Sequence, residues 1–422
     1  MIKRIRKFGL GRQLRVLRGG LITGAADDDP SGIATYSQAG AQFGYSMLWT
    51  VVFTLPLMVA IQMVSARIGY VTGQGLTANI KARFPRWVLL LVVGMLVMAN
   101  TLNIAADIAA MGEALRLLLG GSAHVYAVTF GLLCLLLQVF VTYTAYVRWL
   151  KWLTLSLLTY VAVVFSVQID WWAVSSELVW PRMGSGHEML LMLVAVFGTT
   201  ISPYLFFWQA AQEVEDLHVG PAQPRTKARV RWHLRRIRVD TVVGMAFSNL
   251  IAFFIILSTA ATLHAAGVRD IQTSAQAAEA LRPLAGQFAF LLFSLGIIGT
   301  GMLAVPVLAG SAAYAVAGAA GWQGSLGLRL DKGEGWGFYG VIAVATVGGV
   351  ILCFMPMDPV RELFWAAVIN GVIAVPIMAV MMLLAGRRDT MGDHTVGRRL
   401  RWLGWIATAV MAAMVIAMLA TI

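Results

Sequence analysis

Eleven apolar runs, each long enough to cross a bilayer, restrict this chain more than any motif within it. A transmembrane helix needs roughly 20 consecutive apolar residues. Runs of that kind fall at 18–42, 46–66, 88–115, 124–146, 152–169, 189–212, 241–265, 286–318, 337–356, 363–385 and 402–421. Of the 422 residues 59% are hydrophobic and 12% charged, against about a quarter charged in soluble domains. A water-filled surround would leave too much of that apolar surface unburied, so lipid is the expected solvent. The reading is an all-α integral membrane protein of about eleven transmembrane helices, with no long polar stretch to divide it.

The net charge of +12 could suggest a nucleic-acid partner, but its placement argues for a membrane. With the N-terminus in the cytoplasm, 27 of the 32 Lys and Arg residues fall on the inner side, in 1–18, 67–86, 148–151, 225–238, 329–332 and 387–401. The outer side holds only Arg116, Arg182, Arg269, Arg282 and Arg361. Basic loops stay cytoplasmic, so the N-terminus is expected inside and the C-terminus outside. The basic runs read as topology determinants or lipid-headgroup contacts, and no nucleic-acid partner is expected. The first apolar run contains three aspartates and ends at no small-residue cleavage site, unlike a signal peptide. Cys134 and Cys353 lie in apolar runs and read as small core residues. His124, His187, His218, His233, His264 and His394 fall in loops or near helix ends. No imidazole is therefore expected at membrane depth.

Two spans are interrupted. In the first, Asp27, Asp28 and Asp29 precede Pro30, Ser31 and Gly32. Each carboxylate is costly inside a span, Pro30 removes a backbone donor, and a proline drives the residue before it out of the α region. The helix should stop and restart there, which is tolerated at membrane depth only where backbone lines a cavity. A shallow, solvated acidic bend is the plainer alternative. In the sixth, Gly198, Thr199, Thr200, Ser202 and Pro203 break an apolar run that ends at Tyr204; alone this could be an ordinary proline kink. Spans 1–5 and 6–10 form halves of opposite orientation, since five is odd, and the breaks then occupy corresponding positions. Paired broken helices in inverted repeats mark the substrate site of secondary transporters.

On the third span Asn100, Asn103 and Asp107 share a helical face that should look into the bundle. Asp107 is either a pathway residue or a buried carboxylate held by hydroxyls and amides. Glu113 and Arg116 read as a surface pair. Glu213, Glu215 and Asp216, at the inner mouth after the sixth span, read as a solvated interface, with cation attraction as the alternative, and Trp171, Trp172 and Trp180 as an interfacial belt.

With these residues in view, the chain resembles the natural resistance-associated macrophage protein (Nramp) family of divalent-metal transporters over most of its length. The family's first-helix signature Asp-Pro-Gly-Asn corresponds to Asp29, Pro30, Ser31 and Gly32. Its sixth-helix Met-Pro-His corresponds to Ser202, Pro203 and Tyr204. Its third-helix pattern Ala-Thr-Asp-x-Ala-Glu corresponds to the stretch from Ala105 to Ala110, and Arg388 to Gly392 is similar to its linker before helix eleven. The resemblance implies a LeuT-type fold, a 5+5 inverted repeat broken in helices 1 and 6 with one added helix. The divisions expected are a basic cytoplasmic segment 1–17, a transport domain 18–386 with halves near 18–169 and 189–385, and a linker with the eleventh helix at 387–422.

The departures shape the functional expectation. Where the family has its metal-binding methionine, this chain has Ser202, so the soft sulfur that helps select transition metals is gone. Gly32 replaces the signature asparagine, and Asp27 and Asp28 add charge. Only hard oxygens remain, a donor set suited to Mg²⁺, Ca²⁺ or Mn²⁺, and the smaller residues leave room for an ion that keeps its water. This pattern is similar to the Nramp-related magnesium transporter branch. The family's proton machinery is depleted too: Tyr204 stands for its histidine, Ala110 for its third-helix glutamate, and the ninth span has no arginine. The expectation is a transporter, not an enzyme, moving hydrated Mg²⁺, with Mn²⁺ as the alternative, by alternating access without proton coupling. Asp29 would be the central ligand. Asp28 would add charge, Thr199 its carbonyl and Ser202 its hydroxyl, with Asp27 a further candidate; Asp107, Asn103 and Tyr204 would line the pathway. No cofactor is expected; the partners are the transported ion and the lipid bilayer, in a bacterial inner membrane. The sequence leaves the oligomeric state open. The rivals are a proton-coupled Mn²⁺/Fe²⁺ importer, a transporter of organic substrates, disfavoured by three acids, and a membrane enzyme holding a diphosphate on Mg²⁺, which lacks a second acidic motif.

Overall fold

The apolar runs fold as helices that end where proline, glycine or a polar turn stops them. The computed structural model describes residues 24, 26–141, 153–181, 186–218, 226–328, 334–355 and 358–421. The basic segment 1–17, the start of the first predicted span, and Arg148, Lys151, Arg182, Arg225, Arg329 and Lys332 lie outside the described residues. The main helices are α1 (Pro30–Phe43), α2 (Leu48–Thr72), α3 (Leu76–Arg83), α4 (Arg86–Leu119), α5 (Ala123–Phe140), α6 (Leu158–Val164), α7 (Trp171–Val179), α8 (His187–Thr200), α9 (Pro203–His218), α10 (Lys227–Thr259), α11 (Ala289–Ala320), α12 (Trp336–Leu352), α13 (Pro359–Gly386) and α14 (Arg398–Leu419). No strand occurs among the described residues.

Among these residues eight helical stretches are long and apolar enough to cross a membrane. One of them, Pro30–Thr72, holds the first two predicted spans, and the shorter apolar helices Leu155–Val164 and Trp336–Leu352 take the fifth and ninth places. Every predicted span thus has a helical counterpart. The largest boundary difference is α10, which begins at Lys227 and not near 241. Thr226 caps it, its side chain accepting from the Arg229 amide at 3.3 Å. Arg and Ala then propagate a helix well, so the basic run continues the span as helix.

The packing repeats when the two halves are exchanged. The second span α2 packs on α9 of the sixth, as the seventh span α10 packs on α1 of the first. Contacts between α4 and α5 are matched by those between α11 and α12, and α4 on α12 by α11 on α5. The third and eighth spans, α4 and α11, meet each other across the middle. Side-chain amides fasten that centre. Asn100 Nδ2 donates to Leu308 O at 2.8 Å and to Ser311 Oγ at 2.6 Å. Asn103 and Asn370 exchange hydrogen bonds at 2.9 and 3.2 Å, joining α4 to α13.

Two glycine contacts bring the broken segments against their neighbours. A Cβ at Gly198 would lie 2.1 Å from Ala367 O, so α8 seats on α13 backbone to backbone. A Cβ at Gly24 would lie 2.3 Å from Gly244 O, so the segment before the first break rests on α10. Trp171, Trp172 and Trp180 are exposed at α7, and the two cysteines are buried free thiols.

Candidate metal site

At the first break the chain is helical through Asp27, bends at Asp28, and restarts at Pro30. At the second, α8 stops at Thr200 and α9 starts at Pro203, with Ile201 at φ −114° and ψ 60° between them. The two interruptions face each other. A Cβ on Gly32 would sit 3.2 Å from Thr199 Oγ1 and 3.5 Å from Asp27 O, so that glycine borders the space between the breaks.

Each proline strips a hydrogen bond from a carbonyl four residues earlier, and each orphan is satisfied by a side chain. Pro203 has no amide for Thr199 O; the Ser202 hydroxyl donates to it at 2.6 Å and also lies 3.1 Å from Gly198 O. Pro30 has no amide for Ala26 O; the Tyr204 hydroxyl donates to it at 2.8 Å. Tyr204 therefore clips one broken span to the other. Its single proton goes to Ala26 O, with Asp29 Oδ2 more distant at 3.4 Å. These bonds change the detail expected from the sequence. The Thr199 carbonyl is already paired with Ser202, whereas the Thr199 hydroxyl is buried without a hydrogen-bond partner among the described residues.

Asp27, Asp28 and Asp29 are all buried, each at 3% exposure or less, which removes the shallow solvated bend as a description of this cluster. Asp29 caps α1. Its Oδ1 accepts from the Gly32 amide and the Ser31 hydroxyl, both at 2.7 Å. Asp27 and Asp28 turn instead toward α10, where Ser248 Oγ lies 2.7 Å from Asp27 Oδ2 and 2.9 Å from Asp28 Oδ1. A hydroxyl carries one proton and can donate to only one of them. The other close oxygen needs a proton or a cation of its own. Asp27 Oδ1 is buried without a partner among the described residues. The three carboxylates do not converge on one point, and no set of three or more His, Cys, Asp or Glu side chains among the described residues forms a ligand shell.

Ser248 is the functional candidate that the sequence reading missed. Its signal was modest: Ser248 and Asn249 sit together in an apolar span, and Ser248 lies one turn beyond Gly244 on the face pressed against Gly24. Partners that orient ligating carboxylates are typically worth 10–100-fold in metal affinity. Ser248→Ala should raise the half-saturating cation concentration in proteoliposome uptake by about tenfold or more, with the folded yield unchanged. An unchanged half-saturation would remove Ser248 from the site.

Asp107 is fully buried on α4, and neither carboxylate oxygen has a hydrogen-bond partner among the described residues. The hydroxyls and amides that could have held it as a structural carboxylate are not there; Asn100 and Asn103 are engaged with α11 and α13. The acids after the second break need a correction. Glu213 and Glu215 are not a solvated interface: Glu213 is buried and pairs with Arg236 at 3.1 Å, while Arg236 also holds Asp216 at 2.8 Å. Glu215 Oε1 accepts from Tyr314 Oη at 2.6 Å and from the Leu326 amide at 3.0 Å. A carboxylate at the end of a packed helix cannot stay unpaired away from water, and here α10 and α11 supply the partners. Glu113 and Arg116 do form the predicted i,i+3 pair.

A model of the natural resistance-associated macrophage protein-like (Nramp) family matches residues 20–421. The chain is 28% identical over 415 residues to the divalent metal cation transporter MntH of Deinococcus radiodurans, covering 96% of this chain and 89% of that protein. A crystal structure of the Eremococcus coleocola manganese transporter aligns with a TM-score of 0.76 at 17% identity, covering 100% of this chain and 89% of that one. Mhp1, a nucleobase-cation-symport-1 family transporter, aligns at 0.59 and 14% identity, with 96% and 89% covered. At these identities the solved structures speak for the fold, the LeuT-type inverted repeat with an eleventh helix added.

Proposed function

The chain belongs to the natural resistance-associated macrophage protein-like family, and from that premise we propose that it carries a hydrated divalent cation, Mg²⁺ in preference to Mn²⁺, by alternating access and without moving protons. It is a membrane transporter of divalent metal cations and not an enzyme. The observation that carries the choice of ion is the gathering of oxygen donors at the two breaks: the carboxylates of Asp27, Asp28 and Asp29 at the first, and the Thr199 and Ser202 hydroxyls at the second, with Ser202 standing where the family has its methionine. Mg²⁺ sheds water reluctantly and is commonly held by one or two carboxylates while it keeps several waters. A site whose acids do not converge on one point suits an ion bound largely through its water. In this reading Asp28 and Asp27, steadied by Ser248, face the hydrated ion from one side, and Asp29 and Thr199 face it from the other. Asp107 supplies a further buried charge on the path; Asn103 and Tyr204 hold the path's walls.

The transport unit spans 18–386, with 387–422 as an appended linker and helix. The basic loops and the N-terminus lie in the cytoplasm of a bacterial inner membrane, and the C-terminus lies outside. The relative from Deinococcus radiodurans is a divalent metal cation transporter and the structure from Eremococcus coleocola a manganese transporter, so Mn²⁺ is the competing substrate. Uptake into proteoliposomes with Mg²⁺, Mn²⁺ and Ca²⁺ in turn, with and without a pH gradient, decides between them. Saturable Mg²⁺ uptake indifferent to the pH gradient is expected; Mn²⁺ uptake that leaves Mg²⁺ outside would overturn the assignment.

Selectivity should follow residue 202. Ser202→Met replaces a hard hydroxyl with a thioether and frees the Thr199 and Gly198 carbonyls from their side-chain donor. Uptake of Cd²⁺ relative to Mg²⁺ should rise by about tenfold. Unchanged half-saturation for both ions would mean that position 202 does not face the ion.

A further inference from the structure

α10 and α14 each pack along α2, but they scarcely touch one another. At their basic ends this leaves an open groove of about 790 Å³. Six guanidinium groups line it: Arg67 from α2, Arg231, Arg235 and Arg238 from α10, and Arg398 and Arg399 from the first turn of α14. The three on α10 are spaced by four and three residues and so share one helical face. Arg67 is committed to the backbone, donating to His394 O at 3.1 Å and Thr395 O at 3.0 Å, which braces the turn leading into α14. The other five form no ion pair among the described residues. No carboxylate among the described residues lines the groove. Gly397 caps α14 without a side-chain hydrogen bond, so the first amides of a 22-residue helix add their partial positive charge at the same place.

Five exposed arginines and Arg67 gathered in one gap between helices repel one another, and a bound anion relieves that repulsion. The apolar surroundings say what kind. Met63, Leu234 and Val239 also line the groove, and further along the same helices Val242, Val243, Trp402 and Trp405 are exposed, as befits surface facing acyl chains. Tryptophan concentrates where hydrocarbon gives way to headgroups, so the arginines sit at phosphate depth. Basic pockets between transmembrane helices take anionic headgroups. We propose that this groove binds an anionic phospholipid carrying two phosphates, with its phosphates on the α10 and α14 arginines and its chains along the exposed apolar faces below. One phosphodiester would neutralise a single charge of the six, which is why the doubly charged headgroup is the better match. Filling the gap fastens the eleventh span to the seventh, both of which pack on α2.

Native mass spectrometry of the full chain in detergent tests this, with cardiolipin, phosphatidylglycerol, phosphatidylethanolamine or inorganic pyrophosphate added. One cardiolipin should bind, preferred over phosphatidylethanolamine by roughly tenfold or more. Arg235→Gln and Arg399→Gln, read singly and together, should each weaken that binding; the single variants keep the comparison open should the double variant not fold. Arg282→Gln, at an arginine paired with Glu279 outside the groove, should leave it unchanged. Equal binding of all three lipids, or retention of cardiolipin by both single variants, overturns the proposal. Arginine-dependent binding of pyrophosphate that displaces cardiolipin would assign the groove to a soluble phosphate compound and overturn the lipid.

Discussion

Replacing Asp29 should stop cation uptake, and the choice of replacement separates charge from architecture. Asp29 has two functions in this structure. Its Oδ1 caps α1 through the Gly32 amide and the Ser31 hydroxyl at 2.7 Å, and its charge lies at the gap between the broken spans. Asp29→Ala removes both. Loss of an N-cap costs about 0.5–2 kcal/mol, enough to blur the result through instability. Asp29→Asn keeps an oxygen for the cap, and asparagine caps as well as aspartate does, so only the charge is lost. Uptake by Asp29→Asn is expected at the level of empty vesicles, with an unchanged gel-filtration profile and thermal midpoint. Asp29→Ala should show the same loss of uptake together with a lower midpoint. Transport by Asp29→Asn at the unmodified rate would leave Asp29 as a helix cap and nothing more.

The second large effect concerns energy. Intravesicular pH should stay flat while Mg²⁺ enters under a clamped membrane potential. A proton relay needs successive titratable groups, and the candidates here fail one by one. Position 110 is alanine, and the ninth span contains no arginine. Tyr204, in place of a histidine, gives its one proton to Ala26 O. His264 sits at a helix end, against Ala41 O and in close contact with Arg269. Asp107 keeps a carboxylate with no hydrogen-bond partner among the described residues, so no hydrogen-bonded chain among them leads a proton away from it. The potential suffices as a driving force. A doubly charged ion gains about 4.6 kcal/mol from 100 mV inside negative, twice the value per charge. That is on the order of a thousandfold in accumulation ratio. Acidification that scales with ion flux would refute uncoupled transport and establish a symporter.

Some of this was local in the chain and therefore legible in it. Apolar run length sets the number of helices. A proline withholds its amide wherever the fold places it, so both breaks could be located at Pro30 and Pro203, and three adjacent acids beside the first break raised the expectation of a cation there. Opposite orientation of two five-span halves followed from an odd number, and the exchange of helix contacts between the halves agrees with it. Other features depend on groups brought together across the fold. Ser248 reaches Asp27 from 221 residues away, and Tyr204 reaches Ala26 from 178; no periodicity relates them. The pairing of Asn103 with Asn370, the burial of Glu213 against Arg236, and the meeting of Arg67, Arg235 and Arg399 in one groove are of the same kind. The acids between the breaks also had to be placed in three dimensions before their tasks could be divided. Neighbouring side chains at a bend point different ways, and only the packing of α10 against the first break decided that Asp27 and Asp28 share a hydroxyl while Asp29 turns to its own helix.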